Sequence, residues 1–178
     1  MGHPLLRARA RTVDPAEIRS PRIQKLIEDM FETMREYAGV GLAAPQVHES
    51  LRLFVAGFAS KSDDEEGPEP VPVMALINPE ITAVSDEVVE DWEGCLSIPE
   101  IRGKVPRARH IVVRAYDRRA KRIELRATGY TARVIQHETD HLDGILFFDR
   151  MKSLETLTYL DEFGRYWARE EAEEANVE

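Results

Sequence analysis

The sequence predicts an α+β fold: antiparallel strands packed around a central helix that carries an H-E-x-x-H motif, with one helix on the N-terminal side and another on the C-terminal side. Three observations lead there. Apolar residues recur at helical spacing from Ile23 to Met34, several short apolar segments lie between turn signals, and Gly129 to Asp143 suits a helix that Gly144 would end. A length of 178 residues with 43% hydrophobic side chains supplies the core of one compact domain, residues 1–178, and no linker or internal repeat divides it.

The elements follow in order. Met1 to Thr12 carries Arg7, Arg9 and Arg11 but no uninterrupted apolar stretch of the kind a secretory signal needs, and no run reaches membrane-spanning length, so a cytoplasmic location is expected. Ser20 reads as an N-cap before Pro21, and Ile23, Leu26, Ile27, Met30, Phe31 and Met34 form the stripe that this helix should bury. It is expected to stop near Gly39-Val40-Gly41, where glycine permits conformations that a helix forbids and lets another chain come close. Leu51 to Ala56 is a short strand. Ser60 to Pro72 (SKSDDEEGPEPVP) is acidic and proline-rich and reads as a mobile loop. Val73 to Ile77, Ile81 to Val84 and Val88 to Trp92 are strands, with Asn78-Pro79 as a turn between the first two. His110 to Tyr116 and Arg122 to Thr128 form a hairpin in which Ile123, Leu125 and Ala127 mark a buried face. Ser153 to about Ala168 suits the C-terminal helix, with Leu154, Leu157, Leu160 and Trp167, and residues 170–178 form a frayed tail.

Charge and cysteine content narrow the function. A net charge of −9 weighs against a nucleic-acid backbone as partner, since neutralising phosphates takes clustered Lys and Arg. The single cysteine, Cys95, excludes an intramolecular disulfide and fits a reducing compartment.

The chemistry concentrates in QHETDHLDG, Gln136 to Gly144, where His137, Glu138 and His141 spell H-E-x-x-H. Residues four apart lie one helical turn apart on nearly the same face, so both imidazoles can reach one metal ion. Glu138 falls beside that ion, where a base acting on water belongs. The bland alternative is a helix with two surface histidines and a solvated glutamate. A catalytic site also wants a third protein ligand and one open position. Cys95, in EGCLSIP, offers the softest donor in the chain. Glu162 lies 162 − 141 = 21 positions beyond the second histidine, a spacing at which some H-E-x-x-H peptidases recruit a glutamate, although it sits among ordinary surface charges.

Three separated segments resemble the signature motifs of the peptide deformylase family: GVGLAAPQ at Gly39 to Gln46, EGCLS at Glu93 to Ser97, and QHETDH at Gln136 to His141. A looser likeness runs from GHPLLR near the start to FFDRM at Phe147 to Met151. The resemblance implies metal ligation by Cys95, His137 and His141, a catalytic Glu138, and assistance from Gln46 and the Leu96 backbone N–H. It favours Fe²⁺ in the cell, while a Cys/His/His set also suits Zn²⁺, Ni²⁺ or Co²⁺. It implies N-formylated nascent peptides as substrates, formate as a product, and work near the ribosome, although no patch in the sequence marks a contact. By the same resemblance the formylmethionine pocket is lined by Gly39, Leu96, Tyr130, Arg133, Val134 and His137, with Tyr130 and Val134 equally readable as plain core. Arg133 is expected to lend its aliphatic stem while its charge reaches water or Glu93. Arg102 is a candidate for orienting Glu93 or the peptide. Gly39, Gly41 and Gly94 are expected to leave room for a peptide that pairs with the chain at Val40 and Gly94, a mode that tolerates many sequences. Two other functions fit parts of the pattern: an H-E-x-x-H endopeptidase using Glu162, and a non-catalytic peptide-binding domain with a structural metal.

Overall fold

The computed structural model describes residues 1–59 and 70–168. The expected tail, 170–178, and residues 60–69 of the expected acidic loop lie outside the described residues. The remainder of that loop is corrected: Val71 and Pro72 begin a strand, because Val71 is buried and pairs with Phe58.

Ser20 caps the first helix, α1 (Pro21–Glu36), by accepting the Ile23 N–H on its side chain, with Pro21 at the first helical position. The strands are β1 (Gly41–Ala43), β2 (Leu53–Phe58), β3 (Val71–Val84), β4 (Val88–Cys95), β5 (Ile98–Ala108), β6 (His110–Tyr116), β7 (Arg122–Thr128) and β8 (Thr158–Tyr159). Between β7 and β8 runs α2 (Gly129–Leu142), and α3 (Leu160–Glu162) continues as a π-helical turn over Phe163–Trp167. Every pairing of these strands is antiparallel. One sheet has the order β1-β2-β3-β6-β7 and the other β4-β5-β8.

Successive residues of a strand face opposite ways, and the larger sheet uses both of its faces. Leu53, Val55, Ala75 and Ile77 meet Ile23, Ile27, Met30 and Met34 of α1. Phe54, Ala56, Leu76 and Val113 meet Ala132, Ile135 and Leu142 of α2. Burial on both faces is why β2 reads as the unbroken apolar run LFVAGF. On its other side α2 faces β4 and β5, where Ile98, Val105, Leu146 and Phe147 form a smaller apolar cluster. The H-E-x-x-H helix is therefore central, between two sheets. No helix among the described residues is long and apolar enough to cross a membrane.

Three expectations need correction. Asn78-Pro79 is no turn: β3 runs straight through it with a register shift between Ile77 and Glu80. Asn78 takes a left-handed conformation (φ 52°), and its side chain exchanges two 2.8 Å hydrogen bonds with the Val13 backbone, which holds the bulge. The eleven-residue β5 is a strand that the sequence reading lacked. It accommodates Pro99 and Pro106 because β8 pairs with β5 only at Ile101 and Arg102, which leaves the remainder of that edge free. The C-terminal helix begins at Leu160 instead of Ser153, because Thr158 and Tyr159 are drawn out as a strand against β5, and Leu154 and Leu157 are left exposed.

Candidate active site

The site is assembled where α2, the β4–β5 turn and the segment after α1 meet. On α2, Ala132, Ile135 and Leu142 pack on the larger sheet, which turns Arg133, His137 and Asp140 toward β4 and β5. The bland alternative of a solvated motif is overturned: His137, Glu138 and His141 are all buried. At the end of β4, Cys95 brings its Sγ to 3.2 Å from His141 Nε2. Ligand atoms of Cys95, His137 and His141 lie within 4.8 Å of one another. A four-coordinate ion bonded at about 2.0–2.3 Å needs donors of these types converging from three sides, and this set fits.

His137 is aimed by its other nitrogen. Its Nδ1 lies 2.8 Å from Glu93 Oε2, which leaves Nε2 facing the cluster. Glu93 is itself clamped: Arg107 donates Nε to Oε1 (2.9 Å) and Nη2 to Oε2 (3.0 Å), and Arg133 donates Nη1 to Oε1 (2.9 Å). Burial alone would raise the Glu93 carboxyl, but the hydrogen bonds from His137 and Arg107 outweigh it and hold the group well below the usual carboxylate range. Arg107 extends the chain of charges to Asp140 Oδ2 (2.5 Å), and Asp140 also accepts two hydrogen bonds from Arg150. Arg107 and Asp140 were not singled out in the sequence. Had 98–108 been read as a strand, alternation would have placed Arg107 on the face of buried Gly103 and Val105.

Glu138 occupies a different environment. Burial pushes its carboxyl up to about 7, and its Oε2 has no hydrogen-bond partner among the described residues. Gly41 makes this placement possible: a Cβ there would lie 2.3 Å from Glu138 Oε1. Gly39 similarly leaves room for Leu96, whose Cδ1 would lie 2.8 Å from a Cβ at that position. Both glycines thus yield space to side chains of this chain, Leu96 and Glu138. The left-handed residue after α1 is Ala38 (φ 51°). At Gly94 a Cβ would meet only ordinary contacts, and Val40 already gives its carbonyl to the Gly57 N–H (2.9 Å).

Gln46 is oriented by its neighbours. Its Oε1 accepts the Ala43 N–H (2.7 Å), so Nε2 points into the site, 3.2 Å from Ser97 Oγ and 3.6 Å from Cys95 Sγ. Leu96 and Ser97 form the turn between β4 and β5, and Leu96 is partly exposed at its tip. Around these groups opens a cavity of about 610 Å³, whose lining includes Gly39, Gly94, Tyr130, Val134, Arg102 and Leu160. Of the two destinations expected for the Arg133 charge, it reaches Glu93 and not water; its guanidinium also binds the Val89 and Val105 carbonyls and is buried. Arg102 is not among the hydrogen-bond partners of Glu93 and instead lies 5.2 Å from the Phe163 ring centroid. Glu162 accepts from Arg165 at 2.9 Å and stands apart from the ligand cluster.

A buried glutamate beside two helical histidines and a cysteine, lining a cleft of an α+β fold, fits a metal-dependent amide hydrolase. Comparison with known proteins makes this specific. Residues 1–157 match the sequence model of the polypeptide deformylase family. The chain is 45% identical over 161 residues to peptide deformylase 1 of Bordetella pertussis, covering 90% of each, and 47% identical over 142 residues to peptide deformylase 2 of Pseudomonas putida, covering 80% and 79%. Among solved structures, the Met-Ala-Ser-bound class I type b peptide deformylase of Acinetobacter baumannii is similar with a TM-score of 0.79 and 36% identity, covering 85% of this chain and 94% of that one. The Thermotoga maritima enzyme gives 0.73 and 44%, covering 86% and 95%. This chain belongs to the polypeptide deformylase family, hydrolases that remove the N-formyl group from newly made polypeptides.

Proposed function

We propose that Cys95, His137 and His141 hold one divalent metal ion and that Glu138, Gln46 and the Leu96 N–H carry out deformylation around it. The observation that carries this reading is the convergence of Cys95 Sγ and the two histidine nitrogens at the base of the cleft. A bound divalent ion supplies what no side chain here can, a water acidified to a pKa of about 7 and a Lewis acid for the formyl oxygen.

The chain's own groups do the rest. Glu138, buried beside the ligand cluster, accepts the proton given up by water and returns it to the departing amine. As the formyl carbon becomes tetrahedral, charge gathers on its oxygen, and Gln46 Nε2, fixed by Ala43, donates toward it together with the Leu96 N–H. Glu93, braced by Arg107 and Arg133, keeps His137 in one tautomer and one orientation. The methionine side chain enters between Tyr130, Val134 and Gly39, with Arg133 as a fixed wall. The peptide beyond it lies between the edge strands β1 and β4, near Val40, Gly41 and Gly94. The Acinetobacter baumannii relative binds Met-Ala-Ser, a peptide of the length this cleft would hold.

Membership of the family favours Fe²⁺ as the ion in the cell, while the thiolate and two imidazoles also suit Zn²⁺, Ni²⁺ or Co²⁺. We place the protein in the cytoplasm, meeting nascent chains near the ribosome. Anaerobic assay of the purified protein on a formyl-methionyl peptide tests this directly, with formate, free amine and metal content measured together. Formate and amine released in equal amounts at one ion per chain is the expected result. A metal-loaded protein that releases no formate contradicts it.

A further inference from the structure

The family match ends at residue 157, yet the segment that follows lines the same cleft. Thr158 and Tyr159 pair with Arg102 and Ile101 of β5, and both of those residues face the cavity. The chain then turns back over β4. Phe163 and Trp167 stack edge-on against Trp92, with ring centroids 4.8 and 5.4 Å away, and Trp92 is 7% exposed beneath them. Arg102 lies over Phe163, which ties the segment to β5, and Lys104 of β5 lies over the Trp92 ring on which it rests. This anchoring delivers Leu160 to the cavity wall with 44% of its surface open. An apolar side chain held half-exposed by an aromatic cluster around buried Trp92 is a preformed contact surface.

We propose that Leu160, carried by the Thr158–Trp167 segment, is a specificity-determining residue that favours apolar side chains in the positions following formylmethionine. The proposal rests on the deformylase reading, because that reading sets the formyl group at Cys95, His137 and His141 and the methionine against α2. The rest of the peptide must then leave through the mouth, where Leu96, Leu160 and Tyr37 are exposed large hydrophobics of the lining. No charge is presented at Leu160 itself, so selection there is by apolar burial.

The test compares formyl-Met-Leu-Leu with formyl-Met-Ser-Ser on the metal-loaded enzyme. The wild type is expected to show the lower KM on the apolar peptide. Leu160→Ser reduces the ratio of the two KM values by about fivefold, as expected for partial loss of one leucine's burial, with kcat moving less. Leu160→Met, which keeps an apolar surface, retains the ratio. A wild-type ratio persisting in Leu160→Ser, or lost equally in both variants, overturns the proposal. If the loaded wild type releases formate from neither peptide, the deformylase reading fails first and takes this proposal with it. Formate release with an unaltered ratio removes Leu160 alone.

Discussion

The layer between α1 and the larger sheet and the layer between α2 and the β4–β5 hairpin are buried to similar depth but built by different rules. Under α1, Ile23, Ile27 and Met30 meet Leu53, Val55 and Ile77, and only volume and shape are at stake. Under α2, Arg133, His137 and Asp140 meet Glu93 and Arg107, and each donor needs its acceptor. The first layer can drift by substitution and still hold. The second cannot, because a buried charge that loses its partner is left in a medium that penalises it. That intolerance is what keeps the ligand nitrogen of His137 in one place.

The largest expected effect comes from chelation: removing the ion abolishes formate release, while circular dichroism shows the helices retained, and Fe²⁺ restores turnover. Glu138→Gln preserves volume and is expected to cost about 10²- to 10⁴-fold in kcat with metal content unchanged. Gln46→Leu should slow turnover by about 10²- to 10³-fold, the usual loss of one oxyanion donor, again with the ion retained.

Stability separates the two layers more sharply. Arg107→Met takes two hydrogen bonds from buried Glu93 and one from Asp140, leaving them to Arg133 and Arg150, and is expected to cost up to about 3–5 kcal/mol and about 10- to 100-fold in metal affinity. Ile27→Ala should cost about 2–5 kcal/mol in chemical denaturation yet leave metal affinity and kcat alone. Equal loss of metal affinity in both variants would break the contrast. The smallest effect belongs to Glu162→Ala, where an exposed ion pair with Arg165 is removed and stability changes by less than about 0.5 kcal/mol.

Much of this was legible in the sequence because it is local. The stripe from Ile23 to Met34, the cap at Ser20 and the alternation of Ile123, Leu125 and Ala127 are periodicities that a single element must show, and each sits where expected. The motif residues were legible through their spacing and order. The rest depended on tertiary context. β5 was not legible because whether a strand tolerates Pro99 and Pro106 depends on which edge is free, and that is settled by β8, more than fifty residues after Pro106. Arg107 was one arginine among several until the β4–β5 register set it beside Glu93. The close approach of Gly41 to Glu138 joins two motifs that nothing in their separate sequences connects.

The central claim is that the lone cysteine completes the metal site of the H-E-x-x-H helix. Metal content and formate release of Cys95→Ala, beside the wild type and Glu162→Ala, test it most directly. The account predicts that Cys95→Ala loses both ion and activity while Glu162→Ala keeps both. A Cys95→Ala protein that still binds one ion and releases formate at the wild-type rate would contradict it.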